Sequence, residues 1–278
     1  MANKKSARGH AILAIIAIGF VAVSLTDFGK RLWFPQMFEA GEQESLIKPL
    51  RLEAPQLNAF EEFTLALRAF HYRTQLRESV VYSDIFYDTD DWQLYRNGYS
   101  YRYREARNAG GRISYAIRLE QEPRFVPVGS KKIDLKEPLP DALGAEISQG
   151  SWERALANDN GNRATAHLLD LLWELDIAPG EVRPRLAAEL HRERYDITDK
   201  GRNWFELDRE LWSFHPFEDA DRVVQLQDFV VDTRLTKEDP ELIRRVVTLK
   251  RLSEMTYGVH ATTRSPYERA IEKLGFGP

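Results

Sequence analysis

The sequence predicts an α+β fold: an antiparallel β-barrel of about eight strands, closed or nearly closed, with helices packed outside and one transmembrane helix ahead of it. Three observations lead there. Residues 99–122 hold two alternating segments separated by Asn108-Ala109-Gly110-Gly111, a hairpin signal. Strand-like stretches return after Leu186, while helical spacing is confined to a few segments between them. An uncharged run, Gly9 to Thr26, stands near the N-terminus.

Lys4, Lys5 and Arg8 precede that run, and its centre, Ala11 to Val23, is almost wholly apolar. Asp27 ends it, and Lys30, Arg31, Trp33 and Phe34 follow as interfacial anchors would. The reading is a short basic tail over 1–10, an uncleaved signal anchor over 11–28, a polar stalk over 29–45 and one folded domain over 46–278. A cleaved signal peptide, with Ala22-Val23-Ser24 as its small-x-small site, and a buried core helix are the alternatives. The apolar run with its cationic flank leads to the expectation of a single-pass membrane protein with its C-terminal domain extracytoplasmic.

The folded part opens with a short strand at Leu46–Glu53. Apolar residues at 57, 60, 63, 67 and 70 then mark a helix from Gln56 to Phe70. Val80–Tyr87 is β-rich. Asp88-Thr89-Asp90-Asp91 is a turn that caps one helical turn over Trp92–Arg96, and Asn97-Gly98 ends it. Tyr99–Arg104 and Arg112–Glu122 are the hairpin strands, and Lys131–Lys136 is a third. Ser151–Leu175 reads as helical, with a loose stretch at Ala157–Asn162. Strands follow at Leu186–Ile197, Trp204–Trp212 and Val223–Val231, and helices at Glu241–Leu252 and Pro266–Leu274. Pro266 suits a first helical turn.

Composition narrows the chemistry. The 278 residues are 43% hydrophobic and 29% charged, ordinary values for a globular chain. A net charge of −4 offers no basic excess, so no nucleic-acid partner is expected. The absence of cysteine removes disulfides, thiolate nucleophiles and Cys-ligated metals. No H-E-x-x-H, G-x-S-x-G, G-x-x-x-x-G-K-[ST] or G-x-G-x-x-G occurs. His215, beside Pro216, reads as an ordinary turn residue.

The chemistry lies in alternation. Side chains two apart on a strand share a face, so Arg102 pairs with Arg104, Arg192 with Arg194, and Glu206 with Asp208, while Arg118, Glu120 and Glu122 line up together. The opposite faces carry Tyr99, Tyr101, Tyr103, Tyr115, Ile117 and Leu119, which suits packing under helices. Two readings follow. In one, the charged face is half exposed and its arginines pair with glutamates across strands. In the other, it points into a water-filled tunnel where guanidinium forks take phosphate oxygens. The carboxylates would then orient the arginines or hold a divalent cation.

Tyr87-Asp88-Thr89, Leu94-Tyr95-Arg96-Asn97-Gly98 and Tyr101-Arg102-Tyr103-Arg104, in that order, resemble the CYTH group, the triphosphate tunnel metalloenzyme superfamily that also includes VTC-type polyphosphate polymerase domains. Arg118, Arg192 with Tyr195, Leu207-Asp208 and Ser265-Pro266-Tyr267 continue the likeness. The resemblance implies a tunnel of about eight strands, a triphosphate or polyphosphate ligand, and, in active members, Mg²⁺ or Mn²⁺ held by carboxylates. Taken with the alternation, it makes Arg51, Arg102, Arg104, Arg118, Arg192 and Arg194 the expected anion clamps, and Glu120, Glu122 and Asp208 the carboxylates that would hold a metal in place of the missing ones; no catalytic residue is assigned. The chain departs from the family where its Glu-x-Glu-x-Lys strand reads Ile47-Lys48-Pro49-Leu50-Arg51, and where a late Glu-x-Glu aligns with Gln225-Leu226-Gln227. The expectation is therefore a membrane-anchored polyanion-binding pseudoenzyme. An active Mg- or Mn-dependent triphosphatase or polyphosphate polymerase, and a non-catalytic assembly module docking a protein partner in a membrane complex, are the alternatives.

Overall fold

The computed structural model describes residues 50–56, 58–126, 132–157, 161–232 and 259–276, together with Glu241, Arg245 and Leu249. The expected anchor and stalk lie outside these residues. No helix among the described residues is long and apolar enough to cross a membrane.

The strands are β1 (Leu50–Glu53), β2 (Arg73–Asp88), β3 (Tyr99–Asn108), β4 (Ile113–Gln121), β5 (Asp134–Leu139), β6 (Arg183–Asp199), β7 (Arg202–Pro216), β8 (Val224–Asp232) and β9 (His260–Ala261). The helices are α1 (Ala59–Ala69), α2 (Gln93–Arg96), α3 (Asp141–Ser148), α4 (Arg163–Glu174) and α5 (Pro266–Lys273). One nine-stranded sheet runs in the order β5-β4-β3-β2-β6-β7-β8-β1-β9, and every pairing is antiparallel.

The sheet is not closed into a barrel, which corrects the expectation. Its order ends at β5 on one side and β9 on the other. Both ends are poor templates for a further ladder. β9 is two residues long, and β5 contains Pro138, which has no N–H to donate.

Each face of the sheet buries its own apolar layer. Behind β2–β5, the tyrosines of β3 pack under α3 and α4: Tyr101 Oη donates to Ala155 O at 2.5 Å and Tyr103 Oη to Gly144 O at 2.8 Å. Gly144 is required there, since a Cβ would sit 2.1 Å from Tyr115 Cγ. Behind the other half, Phe60 and Phe63 of α1 lie against Phe229 of β8, with centroids 5.7 and 5.4 Å apart. On the opposite face α5 spans several strands. Tyr267 stacks on Phe86 of β2 at 4.5 Å, and Arg269 reaches Asp228 of β8.

Most elements fall where the periodicity puts them. β5 begins later than expected, at Asp134. The single helix read over 151–175 divides into a 3-10 turn at Trp152–Ala155 and α4, whose N-cap Asn162 accepts the Thr165 N–H. α3 was not anticipated: it is eight residues long, too short to show a helical period. The expected helix over 241–252 lies mostly outside the described residues, although Glu241, Arg245 and Leu249 are helical.

Candidate functional site

The turn after β2 sets the site. The buried Asp88 carboxylate accepts the N–H groups of Thr89, Leu94 and Tyr95 at 2.8, 2.9 and 3.0 Å. That cap holds α2, with Trp92 left-handed at φ 62°, and returns the chain as β3 alongside β2. Burial pushes Asp88 up to about 6 in spite of the three donors.

Residues paired directly across a ladder point to the same side. Lys136 lies opposite Arg118, Arg118 opposite Arg102, and Arg102 opposite Phe86. Arg104 lies opposite Asp84. Further along, Val80 faces Arg192, Arg192 faces Glu210, Glu210 faces Asp228 and Asp228 faces Glu53, two residues from Arg51. The six arginines singled out from the sequence thus share one face, although they come from β1, β3, β4 and β6.

Each of the six is met by carboxylates. Arg104 donates from Nε and Nη2 to the two oxygens of Asp84 at 2.6 and 2.5 Å. Arg118 does the same to Asp134 at 2.9 and 2.8 Å, and Arg194 to Asp208 at 2.8 and 3.0 Å. Arg102 lies 3.5 Å from Asp84 and 3.6 Å from Glu120, and Arg192 lies 3.7 Å from Glu78. Arg51 donates to Glu210 at 2.8 Å and also contacts Asp228, which Arg269 grips from α5. Among these acids, Glu78, Asp84, Asp134, Glu210 and Asp228 were not anticipated, nor was Lys136.

The pairing is uneven across the face. Around β3–β5, five cations (Arg102, Arg104, Arg118, Lys132 and Lys136) meet four carboxylates (Asp84, Glu120, Glu122 and Asp134). Burial and the like charge of Arg104 lower Arg102 to about 10. Against the cost of burial, Arg118, Arg102 and Lys132 hold Glu120 down to about 2. Lys136 is exposed; its partial desolvation comes first, then Arg104, Arg118, Arg192 and Arg102, and together they lower its pKa. The Nε atoms of Arg102 and Arg192 are buried without an acceptor among the described residues. Arg104 and Arg192 also stand 4.5 and 5.0 Å from the centre of the Tyr82 ring.

The residues read as metal ligands do not converge. Glu120 is engaged by Lys132 and Arg118, and Asp208 by Arg194, on strands four positions apart in the sheet. Glu122 is buried; its Oε2 has no partner among the described residues, and burial and then Glu120 push its pKa up to about 7. Among the described residues no three His, Asp or Glu side chains form a group that could hold a metal ion. These residues do not fit an Mg²⁺ or Mn²⁺ centre. Gln225 and Gln227 occupy no ligand position either. They lie opposite Ser213 and Leu211, on the face away from the arginines, while Asp228 takes the arginine side. His215 lies in β7 rather than in a loop.

No family model and no curated protein matches the chain. Solved structures do. HpAC1 from Hippeastrum, a candidate adenylyl cyclase with a dominant triphosphatase activity, is 18% identical, with 82% of this chain and 95% of that one covered and a TM-score of 0.51. A candidate adenylate cyclase from Bacillus halodurans is 12% identical, with 80% and 96% covered and a TM-score of 0.45. PH1819 from Pyrococcus horikoshii is 16% identical, with 81% and 99% covered and a TM-score of 0.43. The chain therefore shares its fold with the Hippeastrum protein across most of both chains.

Proposed function

We propose that the chain is a membrane-anchored, CYTH-like module that binds a triphosphate or polyphosphate anion on the β3–β5 sector of its arginine face. One observation carries this reading. Lys136, exposed and without a carboxylate of its own among the described residues, lies opposite Arg118 in the ladder, and Arg104, Arg118, Arg192 and Arg102 all act against its charge. A linear polyanion would fill that excess of positive charge, and guanidinium forks suit its oxygens. The shared fold with the Hippeastrum protein supports the same class of ligand. The carboxylates of the face, Glu122 apart, are committed to arginines, and this supports binding with reduced or lost catalysis. The uncharged run at Gly9–Thr26 supports single-pass anchoring with the domain outside the cytoplasm.

A second reading has its own observation. Since all six arginines meet internal carboxylates, the face is also suited to rigidifying a module that docks a protein partner in a membrane complex. Calorimetry of the full chain in neutral detergent with tripolyphosphate, with and without Mn²⁺, separates the readings. Metal-independent binding without phosphate release is the expected result. Metal-dependent release would make the chain an enzyme, and the absence of binding would leave the docking role. Protease protection in sealed vesicles tests the topology.

A further inference from the structure

A second cluster of cations lies apart from the arginine face. At the end of the sheet where β2 begins and β6 turns into β7, a cavity of about 880 Å³ is lined by Arg68, His71, Tyr72, Arg73, Asp199 and Lys200, with Thr74, Thr198 and Gly201 between them. Arg68, His71, Arg73 and Lys200 are exposed. None of the four has a carboxylate partner among the described residues, in a chain where most arginines do. Asp199, the one acid among the described lining residues, is bound by Arg245 at 3.1 Å.

Two of these residues sit on backbone that ordinarily selects another residue. His71 follows the C-terminus of α1 at φ 67°; its N–H bonds Arg68 O and the Tyr72 N–H bonds Leu67 O. This is the helix-ending position at which glycine is favoured. Lys200 and Gly201, at φ 51° and 78°, form the two-residue loop between Asp199 and Arg202. Such loops favour Asn or Asp before the Gly. A left-handed residue that is not glycine is a strained choice, and strain of this kind collects at binding sites. The terminal carbonyls of α1 account for Arg68 and for an imidazole at His71. They do not account for Arg73 and Lys200, which come from two other elements.

We infer that this cavity is a binding site for a phosphate-bearing anion, separate from the arginine face and independent of the reading proposed for it. Three exposed cations, Arg68, Arg73 and Lys200, with the His71 imidazole beside them around an open cavity, suit a compact phosphate group, free or on a lipid headgroup. Phe70, beside His71 and 42% exposed, would meet the lipid in the second case.

Pyridoxal 5′-phosphate tests the site on the full chain in neutral detergent. Its aldehyde condenses with a lysine Nζ, releasing water to form an imine, and borohydride reduces that imine to a stable secondary amine. Peptide mapping then gives the labelling rate at each lysine. The site predicts that Lys200 labels about tenfold faster than the exposed Lys273. Arg68→Gln with Arg73→Gln abolishes the preference, Arg68→Lys with Arg73→Lys retains it, and Arg102→Gln leaves it unchanged. Protection by inorganic phosphate identifies a free anion as ligand, and protection only by short-chain phosphatidylglycerol identifies a headgroup. Equal labelling of Lys200 and Lys273, indifference to both anions, or a preference that survives loss of both arginine charges would each overturn the inference. So would a preference lost with Arg102→Gln.

Discussion

Arg104 grips Asp84 through two parallel bonds, Nε to Oδ1 at 2.6 Å and Nη2 to Oδ2 at 2.5 Å, with the carboxylate almost wholly buried. Arg102 shares the same carboxylate at 3.5 Å. Asp84 is thus the pivot of the arginine cluster and also a competitor for any anion placed there. Asp84→Asn separates the two roles. Breaking a buried pair while leaving its charged partners in place costs about 3–5 kcal/mol, so the urea midpoint falls. Tripolyphosphate affinity moves the other way, tightening by about tenfold as Arg102 and Arg104 lose their internal partner. Weaker binding in a variant that remains folded would show that Asp84 organises the site rather than competing for it.

Arg102→Gln and Arg118→Gln should each weaken tripolyphosphate binding by roughly 10- to 100-fold, the equivalent of about 1.5–3 kcal/mol for a charge-assisted bond. The fall of affinity with salt should also flatten. Calorimetry at two ionic strengths reads both effects. An unchanged constant in both variants would remove the arginine face as the binding site.

Glu122 gives a pH dependence opposite to that of most carboxylates. Its folded pKa is raised from 4.5 to about 7, by burial first and Glu120 second. The native state therefore holds a proton that the unfolded chain has released, and stability falls as pH rises between 4.5 and about 7. Glu122→Gln, which cannot ionise, should be more stable than the parent by about 3 kcal/mol above pH 7, and the difference should vanish below the unfolded pKa. Denaturation of both proteins across that range checks the sign.

Gly98 ends α2 at φ 85°, and a Cβ there would lie 2.3 Å from Phe125 Cγ. Its carbonyl accepts the Glu122 N–H at 2.7 Å. Gly98→Ala combines a left-handed penalty with overpacking and should cost about 2–4 kcal/mol. Gly111→Ala is the control, with the same kind of φ and no atom within 4 Å of its Cβ. It should cost about 1–2 kcal/mol, and equal losses at the two positions would show that the Phe125 contact is immaterial.

Tyr99–Arg104 shows how much of this site was legible in sequence. Its strict alternation assigned the tyrosines to one face and the arginines to the other, and the helices above Tyr101 and Tyr103 agree. Val80–Tyr87 carried no such alternation, because apolar residues stand on both of its faces: Val80, Tyr82 and Phe86 beside Asp84 on the arginine side, Val81, Ile85 and Tyr87 on the other. Asp84 was passed over for that reason. In β8, Gln225 and Gln227 were read one position away from Asp228. A shift of one residue exchanges the two faces, and only the ladder with β7 settles it.

By itself, then, the sequence determined which side chains share a face within a strand, where the hairpin turns, and where charge departs from the apolar pattern. Those follow from local backbone geometry and a period of two. The tertiary structure decided the rest: which strands lie side by side, that Asp84 and Asp228 are brought against Arg104 and Arg51, and that the sheet stays open between β5 and β9. Strand order and register are set by contacts between distant segments, and no local period encodes them.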